Sequence, residues 1–126
     1  ALGMHLMLGR LPRTHAGYGE TRRSLRMLLE TLQRFQTPAG LWRQVIDNDS
    51  AYEEYSATAM LGSILKDKRS LAAIVARTQS TGELMDVCES TGKQTSLEAY
   101  LKRKAIRGLD PRGGAMGLYF LSEGGR

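Results

Sequence analysis

Apolar positions fall into several distinct patterns along the chain. Leu2, Met4, Leu6, Met7, Leu8 and Leu11 put apolar side chains on nearly every side of residues 1–11. A helix of that kind must be covered all round, which places it inside a larger body. His5 stands alone within it and reads as a packed core histidine, since nothing is spaced to help it hold a metal. Pro12 ends the segment, and a polar loop runs to Gly19. Over residues 21–36 the pattern becomes one-sided. Leu25, Leu28, Leu29, Leu32 and Phe35 form a stripe, while Arg22, Arg23, Arg26, Glu30 and Arg34 make a wet face. These two segments read as an inner and an outer helix, the second stopped by Pro38 and Gly40.

The next stretch, Gly40-Leu41-Trp42-Arg43-Gln44-Val45-Ile46-Asp47, alternates with a period of two and predicts a short strand or extended arm. Asp49 or Ser50 then offers a cap for a helix carrying Ala57, Met60, Leu61, Ile64 and Leu65. Ala57, Thr58 and Ala59 are small, so a backbone or a ligand can come close. Glu53 and Glu54 suit the positive end of the helix without any catalytic explanation. After it, Lys66-Asp67-Lys68-Arg69-Ser70 reads as a connector to an outer helix with Leu71, Ile74 and Val75. The spacing of Ala57, Ile64, Leu71 and Thr78 equally fits one continuous helix over 54–78.

Leu84-Met85-Asp86-Val87-Cys88 is a second short ribbon, and the polar residues 89–94 form a turn. Gly92-Lys93 lacks the rest of a phosphate loop. Ser96 is placed to cap a short helix through Ala99, Tyr100 and Leu101. Residues 108–114, with three glycines, read as a turn. A last inner helix, 115–123, carries Met116, Leu118, Tyr119, Phe120 and Leu121. A weak echo joins the halves: Arg34-Phe35-Gln36-Thr37 with Arg77-Thr78-Gln79-Ser80, and Gly40 and Val45 with Gly82 and Val87. A spacing of about 40 to 45 residues is what stacked helix pairs give, in a solenoid or an α/α barrel. The fold class is all-α, with short ribbon loops.

Composition narrows the function. The 126 residues make one domain at most, with charged and apolar fractions ordinary for a globular protein. No apolar run is long enough for a membrane span and no signal-peptide pattern is visible, so no membrane partner and a cytoplasmic location are the expectation. The single cysteine, Cys88, excludes an internal disulfide. A net charge of +5 invites a nucleic-acid reading. The basic residues, however, are scattered, with short clusters at Arg22-Arg23 and Lys102-Arg103-Lys104. No aromatic interleaving or nucleic-acid motif accompanies them. Solvated helix faces account for them, and no nucleic-acid partner is expected. The chain opens on Ala1 in an already apolar segment, as a piece cut from a larger protein does.

Several motifs then occur in order: Gly40-Leu41-Trp42-Arg43-Gln44-Val45; Glu54 with Ser56-Ala57-Thr58-Ala59-Met60; Asp86-Val87-Cys88 with Thr91-Gly92; and Asp110-Pro111-Arg112-Gly113-Gly114-Ala115. In this order they resemble the C-terminal part of the unsaturated glucuronyl and rhamnogalacturonyl hydrolases, glycoside hydrolase families 88 and 105. The resemblance implies that residues 1–126 are the C-terminal portion of a single (α/α)6-barrel domain. It implies an enzyme that removes a 4,5-unsaturated uronic sugar from the non-reducing end of lyase-generated oligosaccharides, of pectin or rhamnogalacturonan type. In that family an aspartate protonates the sugar's double bond and activates the water that adds across it, with no metal or organic cofactor. This differs from the paired-carboxylate scheme of most glycosidases. The family's catalytic residues lie before the region matched, so no catalytic residue is carried over. Asp47, Asp49, Asp86 and Asp110 do not match that motif. Two departures stand out. The link from Lys66 to Leu71 is shorter than the family's, and Tyr55 stands where a small hydroxyl residue is expected.

Supporting contacts remain as candidates. Trp42 could stack on a sugar face, or it could be a core tryptophan covering the barrel rim. Arg43 and Gln44 could reach a uronate carboxylate or hydroxyls. By analogy with the family's loops, Ser90, Thr91 and Lys93 could line outer subsites. The alternative from another class is a helical-repeat binding module without catalysis, whose inner face holds a protein partner. Half a barrel leaves apolar faces uncovered, so self-association of the truncated chain is expected.

Overall fold

The computed structural model describes residues 1–89 and 92–124. The chain divides into two compact units, Ala1–Phe35 and Gln36–Arg126. The first holds helices α1 (Leu2–Leu8) and α2 (Tyr18–Gln33) packed on one another. Its one buried side chain in these helices is Leu25. The all-round cover expected for the first helix from a larger body is not supplied within this unit. Leu6 and Met7 are exposed, as are His5, Leu28 and Phe35, because two helices alone can cover only one side of each other.

The second unit begins with a turn at 37–41, in which the Gly40 amide donates to the Thr37 carbonyl at 2.9 Å and the Thr37 amide to the Leu41 carbonyl at 2.8 Å. Gly40 has φ +85°, and a Cβ there would collide with the backbone of Arg69 and Ser70. Strand β1 (Trp42–Arg43) pairs antiparallel with β2 (Glu53–Glu54), which leads directly into α3 (Tyr55–Leu65). The predicted ribbon is thus shorter than residues 41–47, and the cap of α3 is Glu54 rather than Asp49 or Ser50, because β2 intervenes. Lys66, in the left-handed region at φ 52°, ends α3. The Asp67 side chain then caps α4 (Lys68–Ala76) through the Arg69 amide, so the continuous helix over 54–78 does not form. Burial alone would raise the Asp67 pKa. Hydrogen bonds from Gln36, the Arg69 amide and Ser70 outweigh it and hold the carboxyl below its ordinary value.

The same build follows α4. The Gly82 amide donates to the Gln79 carbonyl at 2.9 Å and the Gln79 amide to the Glu83 carbonyl at 2.8 Å, with Gly82 at φ +86°. Strand β3 (Leu84–Cys88) follows. After the short helix α5 (Leu97–Leu101), capped by Ser96 on the Ala99 amide, β4 (Ala105–Gly108) pairs antiparallel with β3. Helix α6 (Pro111–Gly124) comes next. Strand β4 was not anticipated, and α6 starts within the expected 108–114 turn. Pro111 fits a first helical position, where its missing amide costs nothing. The Asp110 carboxylate, buried, accepts from the Gly113 amide at 2.8 Å. The echo in the sequence is therefore a repeated module of glycine turn, antiparallel strand pair and helix with an acidic cap.

The core of this unit is Tyr55, Ala59, Ile74, Leu84, Val87 and Phe120, with Leu71, Ile106 and Met116 against it. Helices α3 and α6 pack most extensively, at a spacing that glycine sets. A Cβ on Gly117 would run into the Tyr55 hydroxyl, and one on Gly62 into Phe120 and Ser70. Tyr55 fills the space that Gly117 leaves, and its hydroxyl bonds Thr78 Oγ1 at 2.8 Å. The large residue in place of a small hydroxyl one is thus accommodated from the facing helix.

Candidate functional site

The head of α3 is organised by one carboxylate. Glu54 is 3% exposed and directly opposite Trp42 across the β1–β2 pair. Its Oε1 accepts from the Ser56 amide at 3.0 Å, and its Oε2 accepts from the Ala57 amide at 2.5 Å. The Ser56 hydroxyl lies within 2.8 and 3.0 Å of the two oxygens. Oε1 also accepts from the Cys88 amide at 2.9 Å, which ties β3 to the start of α3. The negative charge sits where the unpaired amides of the helix end collect positive potential. Ser56 and Ala57 are placed by this cap, and Thr58 bonds inward, accepting from the Trp42 amide at 3.0 Å and donating to the Glu54 carbonyl at 2.7 Å.

Around this head lies a cavity of about 180 Å³ lined by Arg43, Gln44, Glu54, Ser56, Ala57, Met60, Cys88 and Tyr100. Arg43 pairs with Asp49 at 3.3 Å, but that carboxylate is 97% exposed, so the pair is weak and the guanidinium can exchange partner. Gln44 is anchored through its backbone to the Tyr52 carbonyl at 2.9 Å and donates its side-chain amide to the Tyr100 carbonyl at 3.4 Å. Its Oε1 is buried without a hydrogen-bond partner among the described residues. Burial first and the neighbouring Cys88 thiol second push the Tyr52 hydroxyl's pKa well upward, so it stays protonated. A guanidinium, an amide with a spare acceptor, a hydroxyl and an aromatic ring at one cavity can bind an anionic, hydroxylated group. Among the described residues, no three histidine, cysteine or carboxylate side chains gather into a metal-binding group.

The structure brings together Arg43 and Gln44 of the residues singled out from sequence. Trp42 is 1% exposed and does not line the cavity. Burial leaves no ring face for a sugar, which favours the core role over stacking. Lys93 is exposed on the loop before α5 and does not line the cavity. Ser90 and Thr91 lie outside the described residues. Sequence reasoning overlooked Tyr100 and Cys88 as cavity residues. The signal for Tyr100 was its place on the helix that Ser96 caps, but only the tertiary fold sets that helix beside Gln44.

Comparison with known proteins defines the class. The model of Glycosyl Hydrolase Family 88 matches residues 1–126, and the chain belongs to that family. It is 30% identical over 132 residues to the unsaturated rhamnogalacturonyl hydrolase YesR of Bacillus subtilis (strain 168), across 98% of this chain and 38% of that protein. The chain therefore spans well under half the length of this curated relative. Among solved structures it resembles a possible member of GH105 family from Salmonella enterica subsp. enterica serovar Paratyphi A str. ATCC 9150. The TM-score is 0.85 at 23% identity, over 95% of this chain and 36% of that one. It also resembles a glycoside hydrolase from family 105 of C. acetobutylicum ATCC 824, with TM-score 0.77 at 17% identity, over 97% and 41%. At these identities the two structures speak for the fold alone. The chain holds part of an (α/α)6 barrel.

Proposed function

We propose that this chain forms part of a hydrolase that removes 4,5-unsaturated uronic sugars from the non-reducing end of acidic oligosaccharides by hydrating the double bond. The observation that carries the reading is the cavity at the head of α3, where Arg43 and Gln44 meet Ser56 and Tyr100 in a chain whose whole length matches one hydrolase family. Arg43 takes the uronate carboxylate, exchanging the exposed Asp49 for it, since paired N–H groups suit a carboxylate's geometry. Gln44 offers its unpaired oxygen to a sugar hydroxyl, and Tyr100 borders the ring with an apolar face. Lys93 and, three residues before it in sequence, Ser90 are assigned to an outer subsite. Trp42, the buried neighbour of Arg43 in β1, supports it from the core.

The proton-transfer residues are not assigned to this chain. Asp86 is held by two arginines, and Asp110 by Arg112 and the Gly113 amide. Likeness to the unsaturated rhamnogalacturonyl hydrolase of Bacillus subtilis supports a rhamnogalacturonyl substrate. The exposed Leu109, Leu118 and Leu121 support self-association of the isolated chain. The test is loss of the unsaturated uronide's ultraviolet absorbance in the protein carrying this chain. An Arg43→Ala variant is expected to raise KM by about tenfold, the loss of one charge-assisted contact. Equal turnover of uronides and their neutral analogues by the parent protein would sink the assignment.

A further inference from the structure

Strand β3 supplies one wall of the cavity through Cys88, and its bend lies just before that residue. Two residues upstream, Asp86 sits in the left-handed region at φ 63°, at an irregularity of register between Leu84 and Val87. An aspartate tolerates that conformation better than most residues, but it needs its surroundings to keep it. The surroundings are specific. Arg77, at the end of α4, donates to Asp86 Oδ2 at 3.0 Å and to Glu53 Oε2 at 2.7 Å, and its backbone carbonyl accepts from the Met85 amide at 3.0 Å. Arg107 of β4 pairs with Asp86 Oδ1 at 2.9 Å from a side chain that is 70% exposed. Arg77 and Asp86 are themselves only 22% and 13% exposed.

Glu53 and Glu54 are neighbours in β2, so their side chains leave on opposite faces. Glu54 grips the Cys88 amide directly, and Glu53 grips Asp86 through Arg77. The strand of the second module is thereby held from both sides by the dipeptide that opens α3.

We infer that Asp86 and Arg77 are positioning residues for the cavity: their ion pair fixes the bend of β3 and so places Cys88 against the head of α3. Only the identity of the bound group rests on the uronyl reading; the positioning itself does not. Loss of the pair frees the bend, the wall at Cys88 opens, and any group bound in the cavity loses its fit. Arg107, mostly in water, adds little.

Cys88 is the one cysteine of the chain, so its labelling by a small uncharged thiol reagent under native conditions reads the wall directly. Asp86→Asn and Arg77→Gln are expected to speed labelling about tenfold through an opening that responds little to low urea, as local openings do. Arg107→Gln should label at the parent rate. Parent-rate labelling in Asp86→Asn, or a rise that follows global unfolding with the full urea slope, would overturn the inference. Should Asp86→Asn not fold, Arg77→Lys keeps the charge but cannot bridge Glu53 and Asp86 with a fork. An intermediate labelling rate supports the inference and the parent rate overturns it. Adding an unsaturated galacturonyl disaccharide tests the other reading separately. Failure to protect Cys88 in the parent chain, with the variants behaving as stated, removes the uronyl ligand and leaves the positioning pair standing.

Discussion

The heads of α3 and α6 are two copies of one design with different uses. Each follows a pair of antiparallel strands, and each is capped by a buried carboxylate. At α6, Asp110 accepts from the Gly113 amide and pairs with Arg112, whose side chain is 65% exposed. Its hydrogen bonds stay within its own first turn, as expected of an ordinary cap. At α3, Glu54 satisfies its own helix and also reaches the Cys88 amide on the other module's strand. The longer side chain makes the reach possible. The cavity lies at the head whose cap crosses between modules. A cap becomes part of a site when it also holds a wall.

Substitutions at the two heads should differ in cost and in their effect on Cys88. Trp42→Ala should cost most, about 4 kcal/mol in chemical denaturation, since it empties a fully buried site under the first head. An unchanged urea midpoint would return Trp42 to the surface and to a stacking role. Glu54→Ala leaves the amides of Ser56, Ala57 and Cys88 without their acceptor, and about 3 kcal/mol of destabilisation is expected, with faster labelling of Cys88. Gly117→Ala drives a methyl into the Tyr55 hydroxyl and should cost about 2 kcal/mol, part of which Tyr55→Phe restores. If Gly117→Ala proved neutral, the close fit between α3 and α6 would be dispensable. Asp110→Ala should cost only about 1 kcal/mol, the worth of a lost cap, and leave Cys88 untouched. Equal losses for Glu54→Ala and Asp110→Ala would erase the distinction between the heads.

Asp110 also predicts an acid limb. Its hydrogen bond from Arg112, then that from the Gly113 amide, lowers its pKa below the ordinary 3.8. Stability from this cap is complete above that ordinary value, and it is lost as pH falls through the depressed folded one. Asp110→Ala should therefore flatten the decline in stability below about pH 4. A parent-like decline in the variant would assign the acid sensitivity to other carboxylates.

Local patterns made part of this legible in the sequence. The one-sided stripe of α2, the turns at Gly40 and Gly82 and the Ser96 cap all depend on neighbours a few residues away. Their residues announce them. Gly113 was read as turn chemistry because its other use, leaving room for Val87 and Leu84, depends on a strand distant in sequence. The strand β4 was missed for the same reason, since Ala105–Gly108 is a strand only by virtue of its partner β3. At the candidate site, Arg43 and Gln44 could be singled out because they follow the tryptophan directly in the Gly40–Val45 motif. Tyr100 could not, because its place at the cavity is set by the fold of a five-residue helix against Gln44. The cap of α3 was sought at Asp49 or Ser50, yet the short pairing of β1 with β2 moved the helix start to Tyr55.

The central claim is that the cavity at the head of α3 receives a uronyl group through Arg43. Calorimetric titration of the chain with an unsaturated galacturonyl disaccharide, in parallel with its Arg43→Ala variant, tests it most directly. The parent chain should bind, and binding should weaken about tenfold in the variant at unchanged stability. Equal affinity of the two proteins, or no binding by a folded parent chain, would contradict it.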